Sequence, residues 1–421
     1  MLTTRYGLGY SALAAPLALI GLPLYVFLPN LFSQSTGLSL AMIGSILLAA
    51  RVFEAAADPL IGRGIAKLHV NYAAAPHRWL MCVWLAVLVT AVAVLAVLQT
   101  SFWLSMMPSP VAKAAALTVC VGLAYLGYST LTIAHHTLGA AHIAQGLPAA
   151  KLYTLREGCA LAGVLAGSVL PLVISWQSYG WVTALLLVMG MVLLRPHWAV
   201  LAQNTVSTLD RSFRTWQDKT LRATLLAFFV SSLSSGLPAT LLAFFVADVL
   251  GLPQQAPVFL AIYFVAAALG FGLWSKLASR HRLETIWSVA MLGNVVAFVG
   301  AAMLNANTPM VAWWFGAVCA ATGFLLGAEL LLPQTIIANR LATTQQSQHA
   351  GIVFGWWTAA QKTALALAAG VGLWGLAAVG YSPGDNTNTT GLVALYCWIP
   401  CALKLLAAFL VRRIHAATST T

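Results

Sequence analysis

The sequence predicts an all-α membrane protein with twelve transmembrane helices in two pseudo-symmetric six-helix halves. Three observations lead there. The 421 residues are 61% hydrophobic and 7% charged, with a mean hydropathy of +0.88, a composition outside the range of soluble globular domains. The apolar runs are much longer than barrel strands and lack period-two alternation. Helices and closed barrels are the two ways to satisfy backbone polar groups in lipid, so helices remain. Finally, the Lys and Arg residues gather in every second connection. The net charge of +12 therefore sits at segment ends, as a topology signal, and implies no nucleic-acid partner.

The spans read at about 8–30, 40–65, 78–100, 112–143, 154–176, 178–195, 222–249, 257–278, 285–305, 309–338, 349–380 and 391–412. Arg5 precedes the first apolar run, and no small-residue cleavage site follows it, so this run reads as a retained span. The runs at 112–143 and 309–338 exceed the bilayer thickness and must tilt or project. Arg63, Lys67, Arg78, Lys151 and Arg156 occupy the 2–3 and 4–5 connections. Arg195, Arg211, Arg214, Lys219 and Arg222 follow span 6, Lys276, Arg280 and Arg282 follow span 8, and Arg340 follows span 10. Arg412 and Arg413 follow span 12 near the C-terminus. On the opposite side only Lys113 approaches a connection. An odd span count would scramble this alternation, so the sequence predicts a multi-pass protein of a bacterial-type inner (plasma) membrane with both termini cytoplasmic.

One sizeable polar, charged connection, 196–221, divides the chain into a half at 1–195, a cytoplasmic linker and a half at 222–421. The second half opens with Ser231-Ser232-Leu233-Ser234-Ser235-Gly236-Leu237-Pro238. That composition reads either as a locally broken helix or as close packing through small residues. Six Cys (82, 120, 159, 319, 397 and 401) lie in apolar segments without metal or redox spacing and read as small core residues.

Span 2 holds the most informative stretch, Ala50-Arg51-Val52-Phe53-Glu54-Ala55-Ala56-Ala57-Asp58-Pro59. On a helix Arg51, Glu54 and Asp58 project from one face. Ionisable groups at membrane depth are costly, face a bundle interior and mark an ion or solute path. Lys362 in span 11 needs a buried counter-charge, and the two acids of span 2 are the expected partners in a gate. Carboxylates one turn apart hold a proton as a coupled pair or, with hydroxyls, ligate a small hard cation. In span 4, His135 and His142 share a helical face and His136 diverges by about 100°. This favours a polar cavity lining or a proton-sensitive group over a metal site. Arg156-Glu157 reads as a surface pair or as one charge in the cavity and one at the interface. Glu329 is expected to line the cavity from span 10. Trp356 and Trp357 are expected either to pack or to stack against a sugar ring.

Four stretches together resemble the glycoside–pentoside–hexuronide:cation symporters, the melibiose permease-like family of the major facilitator superfamily. They are Tyr6-Gly7-Leu8-Gly9; Ala50 through Gly62, similar to A-R-x-[WF]-[DE]-A-x-x-D-P-x-x-G; Ile133-Ala134-His135-His136-Thr137-Leu138-Gly139-Ala140-Ala141; and Gly351 through Lys362 to Gly380-Tyr381. The resemblance implies cation-binding acids at Glu54 and Asp58, a hydroxyl ligand at Ser129, an essential lysine at Lys362 and a solute-site arginine at Arg156. The chain departs from the family where sugar-binding members carry an Asp, in span 1 at Ala12–Ala15 and in span 4 near Thr132. It also carries Ala57 where sodium users often have Asn, so protons gain ground over sodium.

The expected function is alternating-access symport of an organic solute with H⁺ or Na⁺. A sugar or glycoside is the first substrate class and a lysophospholipid or other amphiphile the alternative. No cofactor and no enzymatic activity are expected, the surrounding partner is membrane lipid, and the protein is expected to be a monomer. The alternative of a different class is a non-transporting membrane sensor or an envelope-pathway subunit.

Overall fold

A computed structural model describes residues 2–22, 24, 27–28, 31–32, 36–72, 74–107, 109–203, 215–381, 384 and 389–418. The linker positions 204–214, with Arg211 and Arg214, lie outside the described residues, as do the side chains of Arg5, Tyr6 and Arg413.

The described elements are helical. They are α1 (Leu2–Ser11), α2 (Ala14–Leu22), α3 (Leu40–Val70), α4 (Pro76–Leu98), α5 (Pro110–Ala144), α6 (Ala149–Val173), α7 (Trp176–Leu194), α8 (Lys219–Phe244), α9 (Ala256–Ala278), α10 (Leu283–Ala302), α11 (Val311–Thr343), α12 (Ala350–Ala378) and α13 (Ile399–Thr418). Against the twelve expected spans, nine helices among the described residues are long and apolar enough to cross a membrane. Helices α3 and α12 are not among the nine, although they run 31 and 29 residues. Both carry charged side chains at membrane depth, Arg51, Glu54 and Asp58 in α3 and Lys362 in α12, and the first expected span, 8–30, includes positions outside the described residues.

Helix starts follow capping chemistry. Ser39, Ser109 and Ser175 accept the backbone N–H groups of Met42, Ala112 and Ser178, and Asp218 accepts that of Leu221 at 3.0 Å. Each cap satisfies an amide that would otherwise lack an acceptor. The outer faces are apolar: Leu172 is 83% exposed, Trp374 78% and Trp313 76%, the reverse of a water-soluble surface and suited to lipid.

The chain forms two compact units, Met1–Phe213 with Ala338–Ala359, and Arg214–Ile337 with Ala360–Thr421. In the first, α5 packs against α3 and α4, and α2 against α6. Helices α3 and α12 touch backbone to backbone: a Cβ on Gly62 would lie 2.3 Å from the Gly351 carbonyl oxygen, and one on Gly355 would lie 2.7 Å from that of Asp58. In the second, α13 packs against α8 and α10, beside a core where the rings of Phe245 and Tyr396 stack at 4.0 Å.

The Ser-rich opening of the second half is not broken. Helix α8 runs continuously through Pro238 and ends in a π-helical turn at Phe245–Val249. Its small residues serve packing and bonding instead. A Cβ on Gly236 would lie 2.6 Å from that of Ala368, and Ser234 donates to the Pro400 carbonyl at 2.8 Å. Asp248, at the end of that turn, accepts the Tyr381 hydroxyl and, at 3.1 Å, the Gly384 amide. It thus ties down the chain after α12.

Candidate functional site

Helix α3 is amphipathic in the opposite sense to a water-soluble helix. Leu48, Val52, Phe53 and Leu60 are 57–64% exposed, whereas Glu54 is 1% and Asp58 0% exposed. The i, i+4 spacing aims both carboxylates inward. Ser129 on α5 is fully buried and donates its hydroxyl to Glu54 Oε1 at 2.8 Å, so the structure joins two of the three expected cation ligands directly. Arg51, one turn before Glu54, is half-buried and hydrogen-bonds the Tyr125 hydroxyl, which donates to the Leu24 carbonyl at 2.7 Å. Tyr128, beside Ser129 in sequence, has Glu54, Asp58 and Arg156 as its electrostatic neighbours. It thereby links the α3 acids to a second polar group.

That second group surrounds Arg156 on α6. Arg156 and Glu157 are 8% and 9% exposed and form an ion pair. Both sequence readings of this pair need correction. It is not at the surface, nor is one charge at the interface, because the long arginine side chain folds back onto the neighbouring carboxylate. Tyr10 donates to the His135 carbonyl at 3.0 Å, and His135 Nε2 lies 2.9 Å from the Tyr10 carbonyl oxygen; that acceptor requires the proton on Nε2. His142 stands edge-on to Tyr10 at 5.8 Å, on the face it shares with His135. His136 points elsewhere and stacks on Phe354 at 4.7 Å and 17°. Several buried polar atoms here have no protein partner among the described residues: Arg156 Nε, His135 Nδ1, His136 Nδ1, Tyr153 Oη and Ser11 Oγ, whereas Thr132 hydrogen-bonds Tyr128. Each such atom costs about 1–3 kcal/mol unless something hydrogen-bonds it.

Trp357 is buried and Trp356 half-buried on α12. Lys362, also half-buried, lies seven residues beyond Gly355 on the same helical face. Glu329 lines a cavity of about 120 Å³ whose walls all belong to the second unit, which is not the solute cavity expected of it. There it pairs with Lys404, only 2% exposed, on α13, a partner that sequence reasoning did not find. Glu329 also accepts the Ser231 hydroxyl at 2.9 Å and the Asn294 amide at 2.8 Å. The available signal was the pair of serines at 231 and 235, one turn apart on one helix face. Among the described residues no group of three or more His, Cys, Asp or Glu side chains is arranged to hold a metal ion.

Comparison with solved structures finds the same fold at low sequence identity. A bacterial homologue of the iron transporter ferroportin, in its outward-facing state, aligns over 99% of this chain and 100% of its own with a TM-score of 0.71 and 14% identity. The same homologue with soaked iron gives 0.70, over 99% of each chain and again at 14% identity. The human organic anion transporter MFSD10 (TETRAN) gives 0.65 at 14% identity, over 97% of this chain and 98% of its own. A comparison with curated proteins finds no sequence match. The family described as MFS/sugar transport protein matches residues 8–416, nearly the whole chain, in agreement with the melibiose permease-like resemblance. The chain therefore belongs to the MFS/sugar transport protein family and is a multi-pass membrane transporter, not an enzyme.

Proposed function

We propose that the protein is a cation-coupled symporter of an organic solute, working by alternating access as a monomer in a bacterial-type inner membrane with cytoplasmic termini. In this reading it is built as six-helix halves at 1–195 and 222–421 across the linker 196–221. Glu54 and Asp58, with the Ser129 hydroxyl, hold H⁺ or Na⁺. Arg156 and its neighbours hold the solute, and Lys362 serves as the charge partner of the acids. The observation that carries the reading is two buried carboxylates on one face of α3, Glu54 and Asp58, with Glu54 accepting the Ser129 hydroxyl and Tyr128 having both acids and Arg156 as electrostatic neighbours. A symporter needs each ligand to favour the state that binds the other. Tyr128, with both groups as electrostatic neighbours, gives them a shared element.

A sugar or glycoside is the first substrate class, supported by the family description. A lysophospholipid or other amphiphile is the second. It is favoured by the uncommitted Arg156 Nε, which suits an anionic headgroup, and by the Ala12–Ala15 stretch, which lacks the sugar-binding carboxylate. The organic-anion substrate named for the human neighbour fits the same arginine.

The test is thermal stabilisation of the purified protein by sugars, glycosides, lysophospholipids and organic anions. Each is tried at two pH values with and without Na⁺, on the wild type and on Asp58→Asn. The reading expects one class whose stabilisation grows with Na⁺ or with acidity in the wild type alone. Ligand stabilisation indifferent to both cations would replace symport by uniport.

A further inference from the structure

The cavity in the second unit lies among α8, α9, α10, α11 and α13, and every residue lining it belongs to that unit. Its walls are aromatic: Phe259, Tyr263, Phe264, Phe298 and Tyr396. Its polar end carries one carboxylate and one ammonium. Lys404 Nζ donates to Glu329 Oε2, to the hydroxyls of Ser231 and Ser235 at 2.9 Å each, and to the Ser231 carbonyl at 3.3 Å. Among the described residues Glu329 Oε1 accepts the Asn294 amide alone, which leaves it a further lone pair. The Ser235 hydroxyl accepts from Lys404 and keeps its own proton to donate. A lysine held by a buried carboxylate within aromatic walls occupies the environment that protein sites offer to an organic ammonium ion.

We propose that this cavity is a ligand site for a compact organic ammonium ion, taken up in exchange for the Lys404 proton. The exchange follows from charge. The pair is neutral, and a second cation beside one buried carboxylate leaves an uncompensated charge in low dielectric. Neutrality returns when one Nζ–H bond of Lys404 breaks and the proton leaves to water. The Nζ lone pair then accepts the Ser235 proton, the remaining N–H groups keep the Ser231 acceptors, and Glu329 turns to the incoming cation. The other titratable groups facing Lys404 are the phenols of Tyr263 on α9 and Tyr396 before α13 and the Cys319 thiol on α11. Cys401 lies one turn before Lys404 on α13 itself. With ordinary values of about 10 for phenols and about 8.5 for thiols, none competes as a charge between pH 6 and 8.

The test uses benzyltrimethylammonium on the purified full chain, with thermal stabilisation and calorimetry in buffers of different ionisation enthalpy. Stabilisation should be greater at pH 8 than at pH 6, with about one proton released per ion bound. Benzoate, the same ring with the opposite charge, should not stabilise. Lys404→Met removes the resident competitor and should bind the ion about tenfold more tightly at pH 6. Phe264→Leu, which leaves the ion pair intact, should weaken binding several-fold, on the scale of one cation–π contact. It keeps the proposal testable if Lys404→Met does not fold. Asp58→Asn should bind as the wild type does, so the outcome is independent of the symport reading. Binding without proton release, equal stabilisation by benzoate, or binding lost in Asp58→Asn and kept in Phe264→Leu would overturn the proposal. The last pattern would assign the ion to the α3 acids.

Discussion

Glu54 and Glu329 are both buried on long helices, and each accepts a serine hydroxyl, from Ser129 at 2.8 Å and from Ser231 at 2.9 Å. They differ in what completes them. Glu329 has an ammonium from Lys404 and an amide from Asn294, so that with Ser231 its partners come from three further helices. Glu54 instead stands with a second buried carboxylate, Asp58, one turn away, beside polar atoms that have no protein partner. A carboxylate completed by lysine is neutral at rest and acts only when the lysine yields. Two carboxylates on one helix face titrate as a coupled pair and have the chemistry to hold a proton or a small hard cation, the role proposed for them above.

The comparison is sharpest in stability. Glu329→Ala should destabilise the protein by about 3–5 kcal/mol, the cost of leaving a buried Lys404 uncompensated. The paired change Glu329→Leu with Lys404→Met should recover most of it, as read by denaturation of the solubilised protein. Gly62→Val should cost about 1–3 kcal/mol through overpacking, because the Gly351 carbonyl stands 2.3 Å from the added carbon. Ser129→Ala should leave the fold intact and weaken the apparent affinity for the coupling cation by about tenfold, one hydrogen bond to a charged group; the cation dependence of uptake measures it. Asp218→Ala, the loss of one helix cap far from both acids, should cost about 1 kcal/mol and leave transport unchanged.

The first region was legible in sequence because its parts lie in one ten-residue stretch. Helical spacing alone puts Glu54 and Asp58 on a common face, and their cost in lipid marks that face as inward. Ser129, 75 residues away, was reached only through family resemblance. The second region was not legible. Lys404 is 75 residues from Glu329 and stands in a different helix, and no helical spacing or motif in the sequence connects the two. Ser231 and Ser235 looked like helix-breaking or packing residues, and only the folded chain shows them holding the Lys404 ammonium. The charged residues that give α3 its proposed task also lower its apolar character, so a polar working helix resembles a membrane span least.

The most direct measurement of the central claim is uphill solute uptake in proteoliposomes under an imposed proton or sodium gradient. It compares the wild type with Glu54→Gln and Asp58→Asn. The account predicts accumulation above equilibrium in the wild type only, with both variants folded and still equilibrating solute downhill. Undiminished uphill accumulation in both variants would contradict it and remove the coupling role from α3.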